Sequence, residues 1–216
     1  PSYELRIDRL NRVKDIVIQN KERITEALNT DFGARSQSQS LISDVYAVLP
    51  PFTYAKKHLK SWMKDEKRKS NFPFGLLGAK SYIHREPLGS IGMISPWNFP
   101  IYLSLAPLAG IFSAGNQVMH KPSEFTPITS ELLKEICDSA FDETEFATFL
   151  GGPDVGAAFT QLKFDHLLFT GSGNIGKHVM RAASENLVPV TLELGGKSPV
   201  IVSDSSNIDI TARRVM

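Results

Sequence analysis

The sequence predicts an α/β fold: a doubly wound parallel sheet with N-terminal helices. Two observations carry this. From Gly89 onward, short apolar runs of strand length alternate with helical runs across short links, the pattern of a parallel sheet with crossover helices. Before Gly89, most of the chain shows helical periodicity. The length of 216 residues suits one large domain, or one domain with a small appendage.

Leu5, Leu10, Val13, Val17, Ile24 and Leu28 recur at helical intervals, which predicts a helix over 5–29 with Gly33 as its stop. Further helices are expected over 40–49 and 52–63, separated by Pro50 and Pro51. The basic run 64–69 also holds Asp65 and Glu66 and reads as a solvated surface turn. An irregular stretch, 71–80, contains Pro73, Gly75 and Gly78. It leads into residues 81–86, which alternate like a strand. Strands then follow over 91–95, 117–120, 146–150, 166–169, 190–194 and 200–202. Helices are expected between them over 103–112, 128–141, 155–162 and 175–183. Residues 210–216 read as an uncapped helix.

Hydrophobic residues make up 42% and charged residues 22%, ordinary for a globular chain able to bury a core. The formal net charge is +1, so no global field attracts nucleic acid or an anionic membrane. Neither partner is expected. The single cysteine, Cys137, excludes an internal disulfide and points to a reducing, cytoplasmic setting. It shares an apolar helical stripe with Leu133 and Phe141, so it reads as a core residue. No apolar run of membrane-spanning length and no signal peptide are visible. No metal-ligand spacing stands out.

Four stretches carry polar residues suited to chemistry. Gly171-Ser172-Gly173-Asn174-Ile175-Gly176 is a G-x-G-x-x-G sequence between a strand and a helix, where helix N-terminal amides suit a pyrophosphate. Glu193 lies about twenty residues on, at the usual distance of a ribose ligand. However, the fingerprint normally occupies the first strand–helix unit, and several units precede it here. Lys121-Pro122-Ser123-Glu124 offers a second ribose candidate, a cation and an acid after a strand. It is also readable as an ordinary charged loop. Ser95-Pro96-Trp97-Asn98-Phe99-Pro100 follows a strand, and Asn98 carries an amide able to donate to an oxyanion. An Asx turn before a proline is the plainer account. Finally, Glu193 in Thr191-Leu192-Glu193-Leu194-Gly195-Gly196-Lys197-Ser198-Pro199 has apolar neighbours. Partial desolvation would raise its pKa toward that of a useful base.

Pro96–Pro100, Lys121–Glu124, Phe169–Ser172 and Glu193–Pro199, in this order and spacing, resemble the aldehyde dehydrogenase superfamily across essentially the whole chain. Residues 31–36 and 57–63 look most like its coniferyl aldehyde dehydrogenase branch. The resemblance implies a Rossmann-like cofactor-binding domain that uses NAD, with NADP the alternative. It places Asn98 at the oxyanion of a thiohemiacetal, Lys121 and Glu124 at the adenosine ribose, and Ser172 at the pyrophosphate. Pro96, Trp97, Gly171, Gly176, Leu194 and Gly195 complete the cofactor surface. Glu193 becomes the general base for thioester hydrolysis, and Glu124 then displaces it as the ribose acid. Gly173 falls where the family does not require glycine.

The implied domains are an N-terminal helical part (1–70), a bridging strand segment (71–87), a dinucleotide-binding core (88–194) and the start of a catalytic domain (195–216). The implied activity is NAD(P)-dependent oxidation of a hydrophobic aldehyde, coniferyl-aldehyde-like, to the carboxylate, in a homodimer or homotetramer. The family's nucleophile is a cysteine, expected beyond Met216, so the chain reads as an inactive N-terminal fragment. The competing reading is a cofactor-binding or oligomerising module without turnover.

Overall fold

The first helix, α1 (Tyr3–Gln19), is capped by Ser2, whose hydroxyl accepts from the Leu5 amide at 3.2 Å. The computed structural model describes residues 1–215. The single helix expected over 5–29 is in fact two. Asn20 turns its side-chain amide back onto the Ile16 carbonyl at 2.8 Å, and α2 (Lys21–Phe32) starts afresh after it. Gly33 ends α2 as expected, with φ of 77°, a conformation a side chain would strain.

Past Gly33, α3 (Gln37–Ser40) runs through a π turn (Leu41–Val45) and a 3-10 turn (Tyr46–Val48) into α4 (Leu49–Trp62). Pro50 and Pro51 therefore do not separate two helices. They sit in the first turn of α4, where a missing N–H costs no helical hydrogen bond. The charged run is likewise not a turn. Its centre forms β1 (Glu66–Arg68), antiparallel to β2 (Ser81–Ile83), with Glu66 opposite Ile83.

The remaining elements alternate: β3 (Ser90–Ile94), α5 (Pro100–Leu105), α6 (Leu108–Ser113), β4 (Gln117–Lys121), α7 (Pro127–Asp138), β5 (Phe146–Thr148), α8 (Pro153–Thr160), β6 (His166–Gly171), α9 (Gly173–Ser184), β7 (Val190–Leu194) and α10 (Ile208–Val215). The expected helix 103–112 is interrupted at Ala106 and Pro107. Residues 200–202 form no strand and lie exposed. The last residue of the expected C-terminal helix, Met216, lies outside the described residues.

The five strands lie in the order β5-β4-β3-β6-β7, every neighbouring pair parallel. The doubly wound sheet is thus borne out. Helices cover both faces. On one, Leu10, Val17, Leu28, Phe52, Phe112 and Phe146 are fully or almost fully buried. On the other, Phe159, Phe164, Leu167, Phe169 and Val179 form a smaller core under α8 and α9. Each such side chain contributes about 1.5–3 kcal/mol by leaving water.

Polar anchors fix the N-terminal helices to the sheet layer. Glu145, before β5, accepts from Arg9 at 2.9 Å and from Arg12 at 2.7 Å. Asp31 accepts from the Ile128 and Thr129 amides at 3.1 and 2.7 Å, capping α7. Among the described residues no helix is long and apolar enough to cross a membrane.

Candidate functional site

Parallel pairing brings all the strand ends to one edge. Ile94 pairs with Lys121 of β4 and Phe169 of β6, and Gly171 pairs with Leu194 of β7. The four motif stretches therefore leave the sheet along the same carboxyl edge. The chain moves from β3 outward to β4 and β5, then returns on the other side of β3 as β6. Open α/β sheets bind ligands at such a switch point.

The loop after β3 is held from beneath. Ser95 Oγ lies 2.8 Å from His120 Nε2 and 2.6 Å from Ser104 Oγ, all three residues buried. Burial, with Lys121 adjacent, pushes the His120 pKa down to about 3, so the ring is neutral. Further along, Arg35 donates to the Asn98 carbonyl at 3.0 Å and to Asp44 at 2.6 Å. Asp44 also accepts from the Ile101 and Tyr102 amides, both at 3.2 Å. Pro96 is half-buried, and Trp97 and Asn98 are exposed above this support. The Trp97 ring lies 6.3 Å from that of Phe32.

At the end of β4, Lys121 is 3% exposed, yet its ammonium donates to Glu124 at 2.7 Å and to the Pro122 carbonyl at 3.1 Å. Desolvation raises the Glu124 pKa, but the Lys121 hydrogen bond and charge outweigh it and hold the carboxyl below its ordinary value. A buried ammonium paired with a half-exposed carboxylate can address a vicinal diol from both sides, one group donating and the other accepting.

At the end of β6, Ser172 caps α9, its Oγ accepting from the Ile175 amide at 3.4 Å. A side chain at Gly171 would meet the Phe169 ring at 2.6 Å, and one at Gly176 would meet Leu194 at 3.0 Å, so small residues let α9 start close to the sheet. A side chain at Gly173 would meet nothing, in line with the expectation that this glycine adds little.

Glu193 lies on β7 opposite Thr170. The expected partial desolvation is not met, since Glu193, Leu194 and Gly195 are all exposed. β7 is an edge strand, and residues 195–202 run on from it without packing over it.

Arg35, Asp44, Ser104 and His120 are not among the site residues that the sequence singles out. Ser104 and His120 had one signal, a polar residue inside an apolar run. Cys137 is fully buried in α7, as expected. Among the described residues no cluster of side chains could hold a metal ion.

Comparison with known proteins adds a direct result. The profile of the family described as "Aldehyde dehydrogenase family" matches residues 2–216. A protein of Caulobacter vibrioides, described as a probable coniferyl aldehyde dehydrogenase, is 54% identical over 100% of the chain. The chain spans 45% of that relative's length. Among solved structures, the substrate-bound state of Staphylococcus aureus AldH superposes with a TM-score of 0.93 at 37% identity, over 99% of this chain and 46% of that one. The NAD+ complex of a Bacillus cereus aldehyde dehydrogenase superposes with a TM-score of 0.82 at 26% identity, over 97% of this chain and 42% of that one.

Proposed function

The chain belongs to the aldehyde dehydrogenase family, and from that premise we propose that the whole protein oxidises a hydrophobic, coniferyl-aldehyde-like substrate to its carboxylate with NAD+. The observation that carries the reading is the convergence of Asn98, Lys121, Glu124, Ser172 and Glu193 on one carboxyl edge of the sheet.

Donors for a dinucleotide fit this edge. Lys121 and Glu124 would hold the adenosine ribose, and the Ser172-capped start of α9 would meet the pyrophosphate. Pro96, Trp97, Gly171, Gly176, Leu194 and Gly195 would line the cofactor's path. When bound, the nicotinamide supplies the hydride acceptor.

The chain's own residues handle proton and charge. The Asn98 amide donates to the oxygen that gains charge when a thiolate adds to the aldehyde carbon. Glu193, exposed and carrying a carboxylate, takes a proton from the water that later cleaves the thioester. Cys137, buried in α7, cannot supply the thiolate, which would come from a cysteine outside these 216 residues. The Caulobacter relative, about twice as long, leaves room for one.

Residues 1–70 and 88–194 would then act as one cofactor-binding unit, with 195–216 the start of a catalytic domain. The segment 71–87 carries exposed Phe72, Phe74, Leu76, Leu77, Tyr82 and Ile83, and would bridge subunits of a homodimer or homotetramer.

The test is to mix the full-length protein with an aromatic aldehyde and NAD+, then NADP+, and follow reduced cofactor and carboxylate together. Stoichiometric formation of both supports the reading. A protein that binds the dinucleotide but reduces none of it, with any hydrophobic aldehyde, contradicts it.

A further inference from the structure

We propose that the Arg35–Asp44 ion pair is the positioning device for Asn98, fixing the backbone from which that side chain meets the developing oxyanion. The proposal deepens the reading of Asn98 given above and rests on it.

The loop between β3 and α5 lacks the usual means of holding itself. Phe99 occupies the N-cap of α5 without a side-chain cap, and Pro100 follows with no N–H. The early amides of α5 need an outside acceptor. Asp44, from the π turn before α4, provides it to both Ile101 and Tyr102. Arg35 completes the clamp. One arm of its guanidinium holds Asp44 at 2.6 Å, and the other holds the Asn98 carbonyl at 3.0 Å. Its central carbon lies 4.8 Å from the Phe32 ring centroid and 5.0 Å from that of Phe99.

The loop is thus tied at residues 98, 99, 101 and 102, while the Asn98 side chain itself stays exposed. A rigid fork suits this task because its donors keep a set angle, which an ammonium cannot reproduce. An oxyanion donor works only when placed within a fraction of an ångström, and a misplacement of about 1 Å can cost about 100-fold in rate. The neighbouring Lys121–Glu124 loop has separate support, from Ser130 on the Ser123 carbonyl at 2.9 Å and Asp31 at the start of α7. Damage to the Arg35 clamp should therefore reach catalysis and spare cofactor binding.

The experiment uses the full-length protein and compares Arg35→Lys, Asn98→Ala and the double variant. Single-turnover hydride transfer and the Kd of NAD+ by fluorescence titration are measured for each. Arg35→Lys keeps a cation over Asp44 but loses the fork. Its hydride-transfer rate is expected to fall ~10- to 100-fold, with the NAD+ Kd within about 2-fold of the parent. Asn98→Ala is expected to lose ~100- to 1,000-fold, and the double variant no more than Asn98→Ala alone, because both changes remove one function. Asp44→Asn, which keeps an acceptor oxygen for α5, is an independent lesion with the same expected pattern. It decides the matter if Arg35→Lys melts early. A slow Asn98→Ala beside a normal Arg35→Lys overturns the positioning role alone. So does a double variant in which the two losses multiply. A normal Asn98→Ala overturns the underlying reading as well.

Discussion

Ser95 Oγ lies 2.8 Å from Nε2 of His120, joining the ends of β3 and β4 beneath the candidate site. The other ring nitrogen, Nδ1, is buried without a partner. Burial lowers the His120 pKa from 6.5 to about 3. The folded state thus binds fewer protons than the unfolded state. The associated stability is complete above about pH 6.5 and is lost as pH falls toward 3. Proton NMR should show no titration of His120 between about pH 8 and about pH 4 while the fold persists. A ring titrating near its ordinary value would contradict this.

Glu145 joins α1 to the start of β5 through Arg12 and Arg9. The Arg12 hydrogen bond, against the opposing effect of burial and with help from Arg9, holds the Glu145 pKa down at about 2. A depressed carboxyl stabilises the fold above its ordinary pKa of 4.5, and that contribution disappears as pH falls toward 2. Glu145→Gln should cost ~1–3 kcal/mol near neutral pH. The gap from the parent should narrow steadily in urea melts below about pH 4. A gap that does not change with pH would mean that packing, not charge, explains the loss.

Cys137 is fully buried in α7, and desolvation, with Asp138 nearby, pushes its thiol far above the ordinary range. A thiol reagent should leave it unmodified in the folded protein and label it promptly in guanidinium. Rapid labelling under native conditions would show that α7 opens or that the thiol is accessible.

Glu124 lies beside the buried Lys121 ammonium, and its carboxyl is ionised at neutral pH. A carboxylate at the ribose repels a 2′-phosphate. Removing it by Glu124→Gln should shift the ratio of kcat/KM for NAD+ to that for NADP+ toward NADP+ by at least ~5-fold, the equivalent of ~1 kcal/mol. An unchanged ratio would separate Glu124 from the ribose.

How much could be read in advance depended on how local the determining chemistry was. Gly33 was legible because a helix stop is written in one or two residues. The strand–helix alternation fixed the parallel sheet for the same reason. The break at Asn20 and the continuous turn through Pro50 were not legible. Both depend on a side-chain amide or a first-turn position that periodicity does not encode. The support of Asn98 was invisible because Arg35 lies 63 residues away in sequence. The desolvation expected from the apolar neighbours of Glu193 is not realised within these 216 residues, where β7 is the last strand of the sheet and lies exposed.

If Glu193 is the base that releases the acyl group after hydride transfer, its loss stalls turnover only after that step. Thioester hydrolysis needs a proton taken from water, which an amide cannot take, whereas hydride transfer needs no such base once the thiolate has added. Pre-steady-state kinetics of Glu193→Gln in the full-length protein therefore separate the two steps. The expected trace is a burst of reduced cofactor approaching one per active site, followed by turnover slowed ~100- to 10,000-fold. Steady-state turnover near that of the parent would contradict the assignment.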